Sequence, residues 1–165
     1  MGAMPIPKVY IETTIPSFYH EVRTEPEMLA RRLWTREWWG EHRLAYGLVT
    51  SDAVVDELER GDHPVVEKAL SLIEPVDLLP IGTEVTDIVA AYIRHRLMPD
   101  DPLGDALHLA LASFHKCDFL LTWNCRHLAN ANKFGHIRRI NTLLGLFAPS
   151  LVTPLELLGG TDDEA

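Results

Sequence analysis

Short β-branched apolar runs alternate with longer stretches of helical periodicity along the chain, and no other feature constrains the fold as tightly. Strand, helix, strand, helix within one domain is the pattern of a parallel sheet covered by helices on both faces. Val9-Tyr10-Ile11, preceded by Pro5 and Pro7, is the first strand candidate. A helix is expected from about 26 to 43, with Leu29, Leu33 and Trp34 at helical spacing, and Tyr46 to Thr50 forms a second strand. Ser51 is placed to cap a helix running to about Arg60, which Gly61 stops. His63 to Ile73 reads as helix, Pro75 to Leu79 as strand, and Thr83 to Leu97 as a helix carrying Val85, Ile88, Val89, Tyr92 and Ile93 on one stripe. Asp101-Pro102 has the form of an N-cap and N1 proline opening a helix to about Lys116. Phe119 to Trp123 is a fourth strand, followed by a helix over Asn132 to Leu146, a short strand at Leu151-Val152 and a last turn, Pro154 to Leu158. The expectation is one domain over residues 1–165, a three-layer α/β/α fold with a parallel sheet of four to five strands.

Composition narrows the function classes. At 165 residues, with 47% apolar and 24% charged residues, the chain has the make-up of a soluble globular domain. Its 24 acids outweigh 15 Lys and Arg, for a net charge of −9, which argues against holding nucleic acid by bulk electrostatics. It agrees with acids gathered at a metal site, because a bound cation inverts the local field. No apolar run approaches the roughly 18 residues of a membrane span, and no signal-peptide stretch opens the chain. With only two cysteines, a reducing cytoplasm is the expected compartment. Met1-Gly2-Ala3-Met4 is read as an expression remnant and residues 160–165 as a flexible tail.

In parallel α/β folds, ligands bind beyond the carboxyl ends of the strands. Glu12 follows the first strand directly, with Thr13 and Thr14 offering hydroxyls to orient it. Asn124 holds the equivalent place after the fourth strand, where it also suits the capping of the segment 125–129. Asp105 lies in Leu103-Gly-Asp-Ala-Leu-His-Leu-Ala-Leu-Ala112, which is apolar almost all round and so buried on more than one side. A carboxylate there is costly unless paired, hydrogen-bonded or metal-bound. Asp101 sits at i−4 from it, close enough on a helix to stand beside it. The helix Asp52 to Arg60 carries four acids; Glu57 and Glu59 both edge its apolar stripe, and periodicity does not choose between them. Carboxylates meeting at a strand-end crevice are the hard oxygen ligands that Mg²⁺ or Mn²⁺ requires. His108, one turn after Asp105, is read as a satisfied core histidine within reach of the site. The mirror-image pair His115-Lys-Cys117 and Cys125-Arg-His127 matches no usual zinc spacing. Trp34 and Trp38 are read as core, Trp39 fits either core or a binding surface, and Lys133, Arg138 and Arg139 form a modest basic face.

Four segments, in order, resemble the motifs of PIN domains: Val9-Tyr-Ile-Glu-Thr-Thr-Ile-Pro-Ser-Phe-Tyr19, Val54-Val-Asp-Glu-Leu58, Asp105-Ala-Leu-His-Leu-Ala110 and Leu120-Leu-Thr-Trp-Asn124. The resemblance runs from about Lys8 to Leu158 and is strongest to VapC-like toxins of type II toxin–antitoxin modules, in a subgroup with a first-strand Glu and a Thr-Trp-Asn fourth motif. It implies a Mg²⁺- or Mn²⁺-dependent endoribonuclease whose metal-activated water cleaves RNA and leaves a 5′-phosphate. Carried over residue by residue, Glu12, Glu57 and Asp105 hold the metal and Asn124 completes the catalytic set. Thr13, Asp101 and Thr122 are the candidates to support them. The usual first acid is Asp and the usual fourth is acidic, so Glu12 and Asn124 depart from the common pattern. The resemblance further implies an RNA substrate, an antitoxin partner and a homodimer. The alternative is a catalytically weakened module that binds RNA or a protein without cleaving. A phosphatase or receiver domain needs an aspartate nucleophile after the first strand, which Ile11-Glu12-Thr13 does not supply.

Overall fold

The computed structural model describes residues 5–61 and 65–161. The remnant expected at 1–4, the start of the helix expected from His63 and the tail beyond 161 lie outside them. One parallel sheet of five strands, flanked by helices, forms the centre of an α/β domain. In chain order the elements are β1 (Lys8–Ile11), α1 (Thr14–Tyr19), α2 (Pro26–Glu37), β2 (Gly47–Ser51), α3 (Asp52–Arg60), α4 (Val66–Ile73), β3 (Asp77–Leu79), α5 (Thr83–Arg94), α6 (Asp105–Phe114), β4 (Phe119–Leu121), α7 (Ala131–Leu143), β5 (Ser150–Val152) and α8 (Pro154–Leu157).

The spatial order is β3-β2-β1-β4-β5, with Val9 beside Leu48 and Phe119, and Tyr10 beside Val49 and Leu120. The chain builds outward from β1 on one side, then returns to build outward on the other. The reversal falls between β1 and β4, where connections leave in opposite directions and open a crevice at the carboxyl ends. The strands flanking it are buried at Val9, Tyr10 and Ile11 in β1 and at Leu120 and Leu121 in β4, with Phe119 half-buried. Such continuous apolar strands are characteristic of a parallel sheet covered on both faces. Helix α6 behaves as its all-round apolar sequence requires, with every residue from Ala106 to Ser113 buried. It packs against α5, while α1 packs against α2 and α4. Trp38 and Trp39 both belong to the core.

Three expectations are corrected, and one helix is added that the sequence reading left unassigned. The helix expected from 26 to 43 is α-helical only to Glu37, then passes through a wider π turn at Trp38–His42 and a 3₁₀ turn at Arg43–Ala45. The segment Thr14–Tyr19, between the first strand and the first long helix, is itself helical; Pro16 lies in its first turn, where no backbone donor is lost. Asp101 does not cap α6. Its Oδ1 accepts the Leu103 amide at 3.1 Å in a local turn, and the helix opens four residues later, after Gly104. Ser51 does stand at the start of α3, but its hydroxyl makes no cap bond because Tyr10 takes it.

Helices α5, α6 and α7 end in the same way. After each, one residue turns left-handed, and two reversed backbone bonds close the end: Leu97 to Tyr92 O and Arg96 to Ile93 O, Cys117 to Ala112 O and Lys116 to Ser113 O, Leu146 to Asn141 O and Gly145 to Thr142 O. Glycine suits this conformation, yet only Gly145 has it; Arg96 and Lys116 are held at φ 56°. A left-handed L residue costs about 1–2 kcal/mol, partly offset by the roughly 0.5–1 kcal/mol of extra unfolded-state freedom in glycine. Lys116→Gly is therefore expected to stabilise the fold by about 0.5–1 kcal/mol, read as a higher denaturant midpoint at unchanged slope.

Candidate metal centre

The crevice between β1 and β4 gathers side chains from four places in the sequence. Glu12 follows β1 and is buried, with only 4% of its surface exposed. Its Oε1 accepts three hydrogen bonds: from the Thr14 amide at 3.1 Å, the Thr14 hydroxyl at 2.5 Å and the Thr122 hydroxyl at 2.6 Å. Each hydroxyl also accepts a backbone amide from the exit of β4, Trp123 N on Thr14 at 2.7 Å and Asn124 N on Thr122 at 2.9 Å. Their protons are thus committed to Glu12. Among the described residues nothing donates to its other oxygen, Oε2.

Glu57, on α3, is half-buried, and its Oε1 accepts from the Thr13 hydroxyl and from His108 Nε2, both at 2.5 Å. Asp105 opens α6, and its Oδ1 accepts Asn124 Nδ2 at 2.9 Å. Glu57 Oε2 and Asp105 Oδ2 likewise receive no donor among the described residues. Three carboxylates thus share one arrangement, one oxygen fixed by the protein and the other left open.

Glu12, Glu57 and His108 each present a ligand-type atom within 4.8 Å of the others. His108 is nonetheless a poor ligand, because both ring nitrogens are taken: Nε2 by Glu57, and Nδ1 by the Tyr10 hydroxyl at 2.8 Å, which in turn meets Ser51 Oγ at 2.7 Å. The buried chain Ser51–Tyr10–His108 ends on Glu57 and fixes its position. Asp105 is outside that group of three. It stands on the adjoining side of the crevice, near enough for His108 and Glu57 to act on its charge.

Electrostatics separate these groups. Burial raises the Glu12 carboxyl above its usual value, against the opposing pull of His108 and the threonine bonds. Burial also raises Asp105, partly countered by His108, His127 and Asn124. For Glu57, burial is outweighed by the His108 bond and charge, and its pKa falls. Burial alone would lower His108, but its bond to Glu57 and the charges of Glu12, Glu57 and Asp105 raise it. A lowered acid and a raised base stabilise the fold together between about pH 4.3 and 6.5; that contribution fades below the window as Glu57 protonates, and above it as His108 passes its raised pKa. Glu12 and Asp105 act in the opposite sense, costing stability at neutral pH that protonation or a cation would relieve. Open carboxylate oxygens, carboxyl groups held above their usual pKa and no thiolate suit a hard divalent cation such as Mg²⁺ or Mn²⁺.

Of the supporting residues expected from sequence, Thr13 holds Glu57 and Thr122 holds Glu12. Asp101 is exposed, and its carboxylate serves the Leu103 amide rather than Asp105, because residues 101–104 form a turn and the i, i+4 spacing has no helix to act on. Asn124 fills two roles: Oδ1 accepts the amides of Arg126 and His127 at 3.2 and 3.0 Å, and Nδ2 holds Asp105. An Asp at 124 would retain the caps but set a negative charge against Asp105. The contributions of Tyr10 and Ser51 went unread in the sequence, since nothing local marks a strand tyrosine or a helix-start serine as part of a relay. A mostly apolar cavity of about 590 Å³, bordered by Asp56, Val89, Ile93, Leu103 and Leu107, is lined by none of these groups. Asp56 is thereby distinguished from Glu57. Comparison with known protein families and with curated proteins gave no match.

Glu12→Gln keeps an Oε1 for the three donors and removes a buried charge. The variant is expected to melt no lower than wild type without metal, and to lose most of the stabilisation by Mn²⁺. For wild type at 100 times the dissociation constant that stabilisation is about 2.7 kcal/mol, roughly 5–10 °C in a thermal-shift measurement. Equal Mn²⁺-induced shifts in the two proteins would place the cation elsewhere.

Proposed function

We propose that this chain is a PIN-type endoribonuclease dependent on Mg²⁺ or Mn²⁺, the toxin of a type II toxin–antitoxin module. The observation that carries the reading is the set of open oxygens on Glu12, Glu57 and Asp105 at the carboxyl edge of a parallel sheet, where the four segments that resemble PIN motifs meet. Glu12 Oε2, Glu57 Oε2 and Asp105 Oδ2 hold the cation, directly or through water. When bound, the cation supplies a more acidic water and positive charge beside the transferring phosphoryl group. Thr14 and Thr122 prevent Glu12 from rotating, Thr13 and His108 do the same for Glu57, and Asn124 fixes Asp105. Holding ligands in place before the substrate arrives lowers the reorganisation needed at the moment of reaction.

The substrate is RNA cut to leave 5′-phosphate ends, the partners are an antitoxin protein and a second copy of the chain, and the compartment is the cytoplasm. No helix among the described residues is long and apolar enough to cross a membrane.

The test is cleavage of single-stranded RNA with Mg²⁺, with Mn²⁺ and with chelator. Metal-dependent cleavage is expected. Glu57→Ala should reduce it by on the order of 100-fold or more, the scale for losing a preorganised electrostatic group. Asp56→Ala and Glu59→Ala should retain most of it. Metal binding without cleavage would leave the chain a binding module, and equal losses in all three variants would overturn the assignment of Glu57.

A further inference from the structure

On the Asp105 side of the site lies an open cavity of about 470 Å³, bordered by Arg96, Met98, Pro99, Asp100, His127 and Lys133. Its volume is within the roughly 300–1,000 Å³ common for small-ligand sites. Hydrogen bonds through Asn124 link it to Asp105. Asn124, which holds Asp105, also accepts the His127 amide at 3.0 Å, so the turn carrying His127 is tied to that carboxylate. Lys133 and Asp105 lie near enough for each other's charge to be felt.

In a chain of net charge −9, this wall collects two fixed cations and a histidine against one acid, Asp100. Neither Arg96 nor Lys133 makes an ion pair among the described residues. Lys133 is half-buried, its ammonium resting near Met98 Sδ at 4.0 Å. Arg96 occupies a left-handed position that glycine would fill with less strain. Charge balance suggests what these groups face. Three carboxylates around a divalent cation retain one net negative charge, and a polyanionic strand entering such a site needs compensation beside it.

We propose that this cavity seats a backbone phosphate of single-stranded RNA, flanking the phosphate at the acids, with Arg96 and Lys133 as its counter-charges and His127 facing it. The inference rests on the reading that the chain acts on RNA, and assigns the basic wall to positioning rather than to the chemistry. Phosphate contacts set the register of a strand and carry no sequence information. The site therefore contributes affinity and placement for any RNA sequence.

Binding is measured by fluorescence anisotropy with a labelled oligoribonucleotide in chelator, so that no metal-dependent cleavage intrudes. Arg96→Gly and Lys133→Gln are each expected to weaken binding by about tenfold at low salt, and together to lower the slope of log affinity against log salt by about one. Arg96→Gly should melt no lower than wild type, which separates lost affinity from lost fold. Lys116→Gly makes the same change at the same kind of helix end, at the far end of α6, and should leave RNA affinity unaltered. Wild-type affinity and salt slope in the Arg96 and Lys133 variants would overturn the proposal, as would a wild type that binds no RNA, or variants that lose only a protein partner. If wild type cuts no RNA yet the variants lose binding, the phosphate seat stands and the nuclease reading falls. If wild type cuts RNA and the variants bind and cut like it, the seat falls and the nuclease reading stands.

Discussion

The bonds from threonine hydroxyls to carboxylates, at Thr14 and Thr122 on Glu12 and Thr13 on Glu57, are what the rest of the site depends on. A buried carboxylate without donors is expensive, and one saturated with donors on both oxygens has nothing left to offer a ligand. Saturating one oxygen and leaving the other open lies between these limits. It keeps the carboxylates ordered in the apolar neighbourhood of β1 and β4 while reserving a lone-pair surface on each. The residual strain is visible in the raised carboxyls of Glu12 and Asp105, the groups a cation would relieve most.

This arrangement draws on groups that would otherwise support local structure. Thr13 stands at the start of α1 and Ser51 at the start of α3, yet neither hydroxyl caps its helix. Thr13 serves Glu57 and Ser51 serves Tyr10, the first link in the relay through His108. A missing cap typically costs about 0.5–2 kcal/mol. Local rules broken without local compensation are characteristic of functional sites. The relay also explains a fully buried histidine in a helix otherwise filled with Leu and Ala: its two nitrogens are satisfied, and one of them is spent on orienting Glu57.

The sheet was legible from the alternation of short apolar runs and helical stripes, because a strand buried on both faces leaves a continuous apolar signal and a flanking helix leaves a stripe. Position followed from topology: a residue just past β1 or β4 has to lie at the carboxyl edge, so Glu12 and Asn124 were readable as candidates, whereas Thr122 was read as part of the fourth strand. The helix containing Glu57 was readable, but the choice of Glu57 over Glu59 was not, since both edge the same stripe; only the resemblance to a known motif chose. Contacts between distant segments left no local trace. Glu57 and His108 are 51 residues apart, and Tyr10 meets Ser51 and His108 only through the fold. The Asp101-Pro102 start of α6 misled because the aspartate side chain had a nearer amide, Leu103, to satisfy. Asp105 was expected as an equal member of the cluster and instead forms its other side, joined through Asn124 to the basic wall.

The most direct test of one divalent cation held by the open oxygens of three acids is isothermal titration of the chain with Mn²⁺, run on wild type and on Glu12→Gln and repeated at successively lower pH. A single Mn²⁺ per wild-type chain is expected, with affinity that weakens as the pH falls, because the raised carboxyls of Glu12 and Asp105 must be ionised to become ligands. Titrations that show no binding, or the same affinity in Glu12→Gln as in wild type, would contradict it.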